Sequence, residues 1–370
     1  MKRVVHLIKA TGIAGAEGHL LVLLPALTEL GYIVEAWVLV EPDRPVDDLL
    51  AHFQQAGIPV QALTIRRDLD PALIGTLRHH LQASAPAVLH THLIHADVHG
   101  VLAAVGLPLV RVSSRHNDDG FRRHGAVRWA LRLLNRPFRR MVAISEAMRR
   151  FTIEVEGAPS AQVVTIPYGY PPLAPVDGST IRAELGLSAN QPLAVCVARH
   201  THQKGLDVLL MAWGQVVAQI PNARLALVGD GPLRADLTAL AHRLGIAETV
   251  SFPGWRNDAL HWMAAANAVA LPSRWEGFGL VLLEAMSQSR PLVASAVSAI
   301  PEIVRDGETG LLVAPDDPAA LTAALTRVLT DPVLAAQMGA AGRARLETEF
   351  SVARMAQAHA ALYAEMGTGG

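Results

Sequence analysis

The sequence predicts an α/β protein made of two doubly wound parallel-sheet domains, followed by C-terminal helices. The chain has 370 residues, which is more than a single domain of ordinary size. In both halves, short apolar runs bounded by glycine, proline or polar residues alternate with amphipathic segments, as repeated βα units do. Between the halves, residues 171–179 are rich in proline and glycine and can form neither a helix nor a central strand.

The strands are expected where the apolar runs occur. In the first half these are residues 4–8, 33–40, 60–63, 87–90, 109–113 and 141–144, with the clearest helices at 17–30 and 126–135. In the second half they are residues 193–197, 223–228, 250–252, 268–271, 291–294 and 310–313. After residue 315 the pattern is helical, and two Asp-Pro pairs, at 317–318 and 331–332, are typical helix starts.

Domain boundaries follow from these elements. We expect an N-terminal domain over residues 1–170, a linker over 171–180 and a C-terminal domain over 181–350. A last helix, within 351–370, is expected to pack back on the N-terminal domain. The two domains are expected to face each other across a cleft, with ligands at the carboxyl ends of the strands.

Charge and cysteine content exclude several classes of function. Lys and Arg number 32 and Asp and Glu 33, which argues against a nucleic-acid-binding protein. The single cysteine, Cys196, lies in an apolar run, so neither an intramolecular disulfide nor a cysteine metal cluster can form. No apolar run reaches the roughly 20 residues of a membrane-spanning helix, and the N-terminal one is too short for a signal peptide. We therefore expect a cytoplasmic protein.

The most specific motif joins the predicted strand at 268–271 to a helix. Gly277 and Gly279 let backbone N–H groups approach a ligand at the start of that helix. Glu284 lies on the helix, where its carboxylate can accept both hydroxyls of a ribose, and Glu276 can do the same for a hexose. Either glutamate alone is better interpreted as a surface or salt-bridged residue, whereas the complete strand–loop–helix motif favours function.

Glu276 and Glu284 are separated by seven residues, an arrangement that resembles the paired-glutamate motif of retaining glycosyltransferases with the GT-B fold, of the family 4 or group 1 type. The interior of that motif matches as well, at Gly277, Phe278, Gly279 and Leu280. The resemblance extends over nearly the whole chain. It implies the GT-B fold and a donor site formed by the residues of this motif.

Two cations flank the loop after the first strand of the second domain. Arg199 and Lys204 can neutralise a diphosphate and stabilise it as a leaving group, and the resemblance implies this role. A basic loop with a helix cap is the alternative. Gly229 and Gly231 alone would indicate only a tight turn, but the resemblance places them in the nucleotide pocket.

The remaining donor-side candidates lie in two loops. Trp255 or Arg256 could stack on a nucleobase, although a tryptophan is as often a core or interface residue. Gly15 belongs to a glycine-rich loop that, by the resemblance, approaches the donor phosphate. The spacing of the glycines in that loop differs from the dinucleotide-binding fingerprint, which argues against a nicotinamide-dependent dehydrogenase.

Histidines at strand ends of the first domain supply further candidates. By the resemblance, His116 contacts the donor sugar. His92 is a candidate for the acceptor side because its strand end faces the predicted cleft, and Arg115 is a further candidate there. The alternative for both histidines is a surface or core residue with satisfied hydrogen bonds. Tyr168 stands where the family's turn has asparagine. No group of His, Asp or Glu has the sequence spacing of metal ligands, and the family works without a bound divalent metal.

The segment from Arg122 to Arg140 contains no acidic residue. On a helix, Arg128, Arg132 and Arg136 recur every four positions along one stripe. One interpretation is a core-packed helix with a solvated basic face. The other is a surface that contacts an anionic membrane or holds a phosphorylated, lipid-linked acceptor.

The resemblance implies transfer of a hexose-type sugar from a nucleoside-diphosphate donor to an acceptor hydroxyl, with retention of configuration. The expected donor is a UDP-sugar, the acceptor is a carbohydrate or a lipid-linked molecule, and the pathway is polysaccharide or glycolipid synthesis. No cofactor or metal is expected, and the catalytic residues would be Arg199, Lys204, Glu276 and His116. The alternatives are a nucleotide-sugar epimerase, a glycoside phosphorylase, or a non-catalytic, membrane-associated nucleotide-sugar-binding protein.

Overall fold

Two units make up the chain in the computed structural model, which describes residues 2–13, 15–118 and 120–366. Unit 1 comprises Met1–Gly169 together with Ser351–Gly370, and unit 2 comprises Tyr170–Phe350. Each unit has a parallel sheet with buried hydrophobic residues of its own.

The sheet of unit 1 has seven strands in the order β3-β2-β1-β4-β5-β6-β7, all parallel. The strands are β1 (Arg3–Lys9), β2 (Ile33–Val40), β3 (Val60–Thr64), β4 (Val88–His92), β5 (Val110–Arg115), β6 (Arg140–Ala143) and β7 (Val163–Thr165). The order of strand addition reverses between β1 and β4. In doubly wound sheets, such a reversal opens a crevice at the carboxyl ends of the strands.

Helices connect these strands, and several begin at residues suited to capping. They are α1 (Gly15–Glu29), α2 (Asp47–Gln55), α3 (Pro71–Ser84), α4 (Leu93–Ala103), α5 (Gly125–Asn135) and α6 (Glu146–Glu154). Asp70 caps α3, because its carboxylate accepts the N–H groups of Ala72 and Leu73.

The sheet of unit 2 has six strands in the order β10-β9-β8-β11-β12-β13, again parallel. They are β8 (Leu193–Val197), β9 (Arg224–Val228), β10 (Val250–Gly254), β11 (Ala268–Leu271), β12 (Leu292–Ser295) and β13 (Gly310–Val313). Its helices are α7 (Ser179–Glu184), α8 (Leu206–Gln219), α9 (Arg234–Arg243), α10 (Ala259–Ala265), α11 (Leu280–Ser287), α12 (Ile300–Ile303), α13 (Pro318–Thr330) and α14 (Pro332–Glu349). Here the order of strand addition reverses between β8 and β11.

The last helix, α15 (Val352–Glu365), belongs to unit 1. Ser351 caps it by accepting the N–H of Arg354. The Lys2 ammonium donates to the carbonyl of Tyr363 at 2.9 Å, and the Tyr32 hydroxyl donates to that of Ala360 at 2.9 Å. The residues that directly precede β1 and β2 are therefore bonded to the last helix.

The structure contains all the predicted strands, and both Asp-Pro pairs begin helices, each with the aspartate accepting a backbone N–H. It adds β7, whose three residues are too few for a pattern. Strands β4 and β5 continue two residues beyond the predicted ends, because their terminal polar side chains are buried with hydrogen-bond partners. In the described part of the chain, no single helix has the length and apolar composition to cross a membrane, although one helix pair bent by 99° does when taken together.

Candidate active site

Two loops of unit 2 pack against each other where the strand order reverses. One follows β8 and carries Lys204, and the other follows β11 and carries Glu276. Gly205 has φ +61°, and a Cβ atom on it would lie 2.1 Å from the carbonyl oxygen of Pro272. Only glycine therefore allows the backbones of these two loops to approach so closely.

Lys204 and Glu276 form a nearly buried ion pair. Lys204 Nζ lies 2.5 Å from Glu276 Oε1, and the Ser273 hydroxyl donates to the same oxygen at 2.7 Å. Glu276 is 6% exposed, and its Oε2 has no hydrogen-bond partner among the described residues. An ammonium has three N–H groups, so Lys204 retains two for a ligand while it stays paired with Glu276.

Arg274 connects the two loops. Its guanidinium pairs with Asp207 at 2.7 Å and with Asp316 at 2.8 Å, and it donates to the carbonyl of His202 at 2.8 Å. The sequence motif contains Arg274 and Ser273, but nothing in the sequence marked them as partners of Asp207 or Glu276. Their position two and three residues before Glu276 was the only available signal.

Two further predicted site residues of unit 2 have unpaired charges. Arg199 is exposed, and its guanidinium has no hydrogen bond or ion pair among the described residues. Glu284 lies on α11, and its carboxylate likewise has no partner in the described part of the chain. Burial raises the pKa of Glu284 to about 7, because a carboxylate loses hydration there.

The loop after β9 lies against the loop after β8. A Cβ atom on Gly229, whose φ is +130°, would lie 2.0 Å from the carbonyl oxygen of Ala198. Gly231 lines an open groove of about 670 Å³ together with Pro232 and Arg234. These contacts position both predicted glycines next to the loop that carries Arg199.

Of the two candidates for stacking on a nucleobase, Arg256 is already engaged in ion pairs and Trp255 is not. Trp255 is 75% exposed. The Arg256 guanidinium is instead paired with Asp258 at 2.9 Å and with Glu184 at 3.1 Å. Trp255 is therefore the better candidate for a nucleobase contact.

The interior of the glutamate motif forms the start of α11. Phe278 is buried, and its ring meets that of Phe350 edge-on at 6.1 Å. Gly277, Gly279 and Leu280 are only partly buried where the helix begins. The approach of a ligand to this helix start stays a prediction.

The predicted residues of unit 1 lie at or beyond the carboxyl ends of its strands. Gly15 is exposed and opens α1. His92 and His116 are buried, with His92 Nδ1 3.0 Å from His116 Nε2 and His116 Nδ1 2.5 Å from the Tyr168 hydroxyl. Both ring nitrogens of His116 are thus already hydrogen-bonded. Burial, followed by the charges of Arg115 and Arg122, lowers the pKa of His116 to about 3.

Arg115 lies in a buried network of charges. Its Nε donates to Glu156 at 2.7 Å and its Nη2 to Asn135 at 2.8 Å, and a third contact pairs it with Asp97. Arg122 pairs with the other oxygen of Glu156 at 2.5 Å. These bonds join β5 to α4, to the last residue of α5 and to the segment after α6. The acceptor role of Arg115 stays a prediction.

The basic segment forms α5, but its arginines are not all directed to solvent. Arg128 donates to the carbonyls of Glu154 and Val155 at 3.1 Å each, and the side chain of Arg132 lies against Gly157. Exposed apolar rings and chains accompany them: Trp129 is 65% exposed, Phe121 46% and Leu133 40%. The exposed surface of α5 is thus amphipathic rather than purely basic.

Sequence spacing gave no sign of a histidine group at the centre of unit 1. His6, His90 and His92 offer nitrogen atoms that all lie within 4.8 Å of one another. They come from two adjacent strands, β1 and β4, so only the register of the sheet brings them together.

Comparisons with known proteins place this geometry in a family. The family described as "Glycosyl transferases group 1" matches residues 177–345, and "Glycosyl transferase 4-like domain" matches residues 14–169. The GDP-mannose-dependent monoacylated alpha-(1-6)-phosphatidylinositol monomannoside mannosyltransferase of Corynebacterium glutamicum is 32% identical over 267 residues, covering 68% of this chain and 69% of that enzyme. The chain belongs to the group 1 glycosyltransferases.

A further relative and a solved structure support the same family and fold. Alpha-maltose-1-phosphate synthase of Mycobacterium tuberculosis is 31% identical over 303 residues, covering 74% of this chain and 78% of that enzyme. Among solved structures, Anabaena Alr3699/HepE in complex with UDP and glucose superposes with a TM-score of 0.86 at 22% identity, covering 99% of this chain and 100% of that one. The predicted GT-B fold is confirmed.

Proposed function

We propose that this glycosyltransferase moves a hexose from a nucleoside diphosphate to a hydroxyl group of a carbohydrate or lipid-linked acceptor, with retention of configuration. The observation that carries the proposal is the Lys204–Glu276 pair beside the unpaired Arg199, in loops that flank the reversal of strand order in unit 2. Binding sites of doubly wound sheets form at such reversals.

In the proposed reaction, the bond between the anomeric carbon and the diphosphate breaks and negative charge grows on the leaving oxygen. Lys204 can direct its remaining N–H groups at that diphosphate while Glu276 holds the ammonium in place. Arg199 adds a second cation. Charge that is stabilised only as it develops lowers the barrier of the chemical step.

Three groups would position the donor. The unpartnered Oε2 of Glu276 can accept a hexose hydroxyl, and the unpaired carboxylate of Glu284 can accept the two hydroxyls of a ribose. The exposed ring of Trp255 offers a stacking surface for the base. We propose a UDP-sugar as the donor, supported by the complexes of Alr3699/HepE with UDP-glucose, and the GDP-mannose-dependent relatives make GDP-mannose the second donor to test.

Retention follows if the acceptor approaches on the face from which the diphosphate departs. The acceptor oxygen then bonds to the anomeric carbon, and its proton passes to the leaving phosphate oxygen. No protein nucleophile takes part. We also propose that no metal or other cofactor is needed, because Lys204 and Arg199 can supply the positive charge on the diphosphate.

The acceptor side includes a proposed membrane contact. Trp129 and Leu133 expose apolar groups on α5, and Arg136 and Arg139 lie exposed at its end. An exposed apolar face with cations beside it is typical of helices that lie on an anionic membrane surface. We therefore propose that the enzyme works in the cytoplasm, at the inner face of the membrane, in glycolipid or polysaccharide synthesis.

A donor screen followed by turnover assays tests the proposal. Nucleotide sugars are ranked by thermal shift, and transfer to added acceptors is measured with the best donor. We expect Lys204→Ala to lower kcat by on the order of 100-fold. Arg243→Ala, which removes an exposed cation of unit 2 that has no partner among the described residues, is the matched control. The configuration of the first-formed product, read by NMR, tests retention.

Three results would contradict the proposal. An unchanged kcat for Lys204→Ala would show that the diphosphate does not bind at this loop. Release of phosphorolysis or epimerisation products in place of transfer would favour the alternative activities. Inversion at the anomeric carbon would contradict the mechanism in which the acceptor approaches on the face from which the diphosphate departs.

A further inference from the structure

A continuous hydrogen-bonded chain of imidazole rings and tyrosine hydroxyl groups crosses the interior of unit 1. From Tyr168, it passes to His116 at 2.5 Å, from His116 to His92 at 3.0 Å, and from His92 Nε2 to His6 Nδ1 at 3.0 Å. His6 Nε2 then lies 3.4 Å from the Tyr363 hydroxyl, which bonds His90 Nδ1 at 2.6 Å. We call these six side chains the histidine relay: Tyr168, His116, His92, His6, Tyr363 and His90.

The relay ends at a hydroxyl group, because His90 Nε2 bonds Ser114 Oγ at 2.8 Å. Every histidine in the relay therefore uses both ring nitrogens. Burial lowers the pKa of all four rings well below the usual value, so they are neutral at pH 7. A neutral imidazole has one N–H donor and one bare acceptor nitrogen.

This stoichiometry couples the rings. If Tyr168 donates to His116 Nδ1, then His116, His92 and His6 must each carry their proton on Nε2. If Tyr168 accepts, the same three rings must carry it on Nδ1. A single ring in the opposite state would place two N–H groups face to face on one side and two lone pairs on the other, which loses two buried hydrogen bonds.

Other groups face the relay without belonging to it. The His19 ring stacks on Tyr168 with centroids 4.5 Å apart, and the His359 ring lies 6.0 Å from His90. His19 Nδ1 and His359 Nε2 have no hydrogen-bond partner among the described residues. The Glu17 carboxylate acts on the Tyr168 end, where its charge and burial both raise the pKa of the hydroxyl.

We propose that the histidine relay is a tautomer lock in which Tyr168 and Tyr363 are positioning residues that decide which nitrogen of His116 carries the proton. The effect of this lock on catalysis rests on the proposed function together with the predicted contact between His116 and the donor sugar. A substrate hydroxyl that replaces the Tyr168 hydroxyl at His116 Nδ1 can donate the same hydrogen bond. That exchange would leave the other rings unchanged.

Two isosteric substitutions test the coupling from opposite ends. Tyr168→Phe leaves His116 Nδ1 facing a ring edge, and a bare nitrogen is tolerated there better than a buried N–H without an acceptor. We therefore expect His116, His92 and His6 all to carry the proton on Nε2. Tyr363→Phe leaves His6 Nε2 without its hydroxyl, so the same three rings should carry it on Nδ1.

His92 is the decisive reporter, because it contacts neither tyrosine and yet should differ in tautomer between the two variants. The measurement is the ring nitrogen shifts of protein labelled with ¹⁵N histidine, assigned by single histidine substitutions. Tyr32→Phe is the matched control, since it removes a partly buried tyrosine hydroxyl whose partner among the described residues is the Ala360 carbonyl, outside the relay. We expect the wild-type tautomers in that variant.

The unsubstituted protein provides a check that does not depend on the variants folding. Couplings across the hydrogen bonds are expected between the ring nitrogens of His92 and those of both His6 and His116. Absence of both couplings, or an identical His92 tautomer in the two phenylalanine variants, would overturn the relay. Stoichiometric zinc uptake that displaces the signals of His6, His90 and His92 would overturn it too, because the nitrogens would then be metal ligands.

Activity separates this inference from the proposed function. The phenylalanine variant whose tautomers oppose those of the wild type is expected to change kcat by on the order of tenfold while leaving the KM for the donor nearly unchanged, and the other variant should stay closer to the wild-type kcat. Opposed tautomers with unaltered kcat would overturn the positioning role. Since tautomers are read without donor, loss of the proposed function in the Lys204→Ala test would leave the lock itself standing.

Discussion

At the scale of single residues, Glu284 predicts how donor binding depends on pH. Its pKa of about 7 means that half of the carboxyl groups are protonated at neutral pH in the unliganded protein. A ribose diol donates to the ionised form, so the affinity for a nucleotide sugar should fall as pH decreases from 8 to 6. A nucleotide sugar is the suitable probe because its diphosphate has no ionisation in this range.

The variant Glu284→Gln should bind the donor more weakly at pH 8 and show no trend between pH 6 and 8. Calorimetric titration at several pH values measures this, and Glu248→Gln, an exposed glutamate of unit 2, should retain the wild-type trend. A wild-type trend in Glu284→Gln would assign the titration to another group and remove Glu284 from the ribose.

The same residue affects stability in a defined direction. Because the folded-state pKa of this acid is raised, the folded protein holds a proton that the unfolded chain has released, and the free energy of unfolding falls as pH rises from 4.5 to about 7. Over that pH interval, the free energy of unfolding falls by on the order of 3 kcal/mol. In the absence of donor, the free energy of unfolding of Glu284→Gln should not decrease in this way as pH rises.

At the scale of elements, α5 carries the membrane prediction. Changing Trp129 and Leu133 together to Ser should reduce sedimentation with anionic vesicles severalfold, because it removes the exposed apolar face and leaves the arginines. Trp255→Ser, which removes an even more exposed tryptophan from unit 2, is the control and should sediment like the wild type. Equal binding to neutral and anionic vesicles, or no effect of the double change, would contradict the contact.

Elements and motifs could be predicted from the sequence, because apolar periodicity, proline and glycine act locally. Contacts between distant segments could not. The pair of Lys204 and Glu276 spans 72 residues, and that of Arg115 and Glu156 spans 41. Such pairs depend on which strands lie side by side and in what register, and no local pattern encodes that. Arg256 shows the effect on function, since only the fold brings Glu184 to its guanidinium.

At the scale of the whole molecule, the division into two units predicts two thermal transitions. Leu20 lies in a core of unit 1 and Leu209 in the core of unit 2. Leu20→Ala should therefore lower the transition temperature of unit 1, and Leu209→Ala that of unit 2. The proposed donor groups Arg199, Lys204 and Glu284 all belong to unit 2. A nucleoside diphosphate at a hundredfold excess over Kd should therefore raise that transition by roughly 5–10 °C.

Scanning calorimetry of the wild type and the two leucine variants makes this measurement. Equal shifts of both transitions by the nucleotide would mean that binding stabilises the units together, in contradiction to this prediction.

The return of α15 to unit 1 has a consequence for how the protein is made. Strand β7 leaves the ribosome early, whereas Tyr363 follows about 200 residues later, on the order of 10–40 s at ordinary rates of translation. Until then, His6 and His90 lack the hydroxyl group that joins them. While the second half is synthesised, His6 Nε2 and His90 Nδ1 therefore lack the hydroxyl partner that they have in the complete fold. A chaperone that covers β1 and β4 during that interval would shield these two nitrogens until α15 arrives.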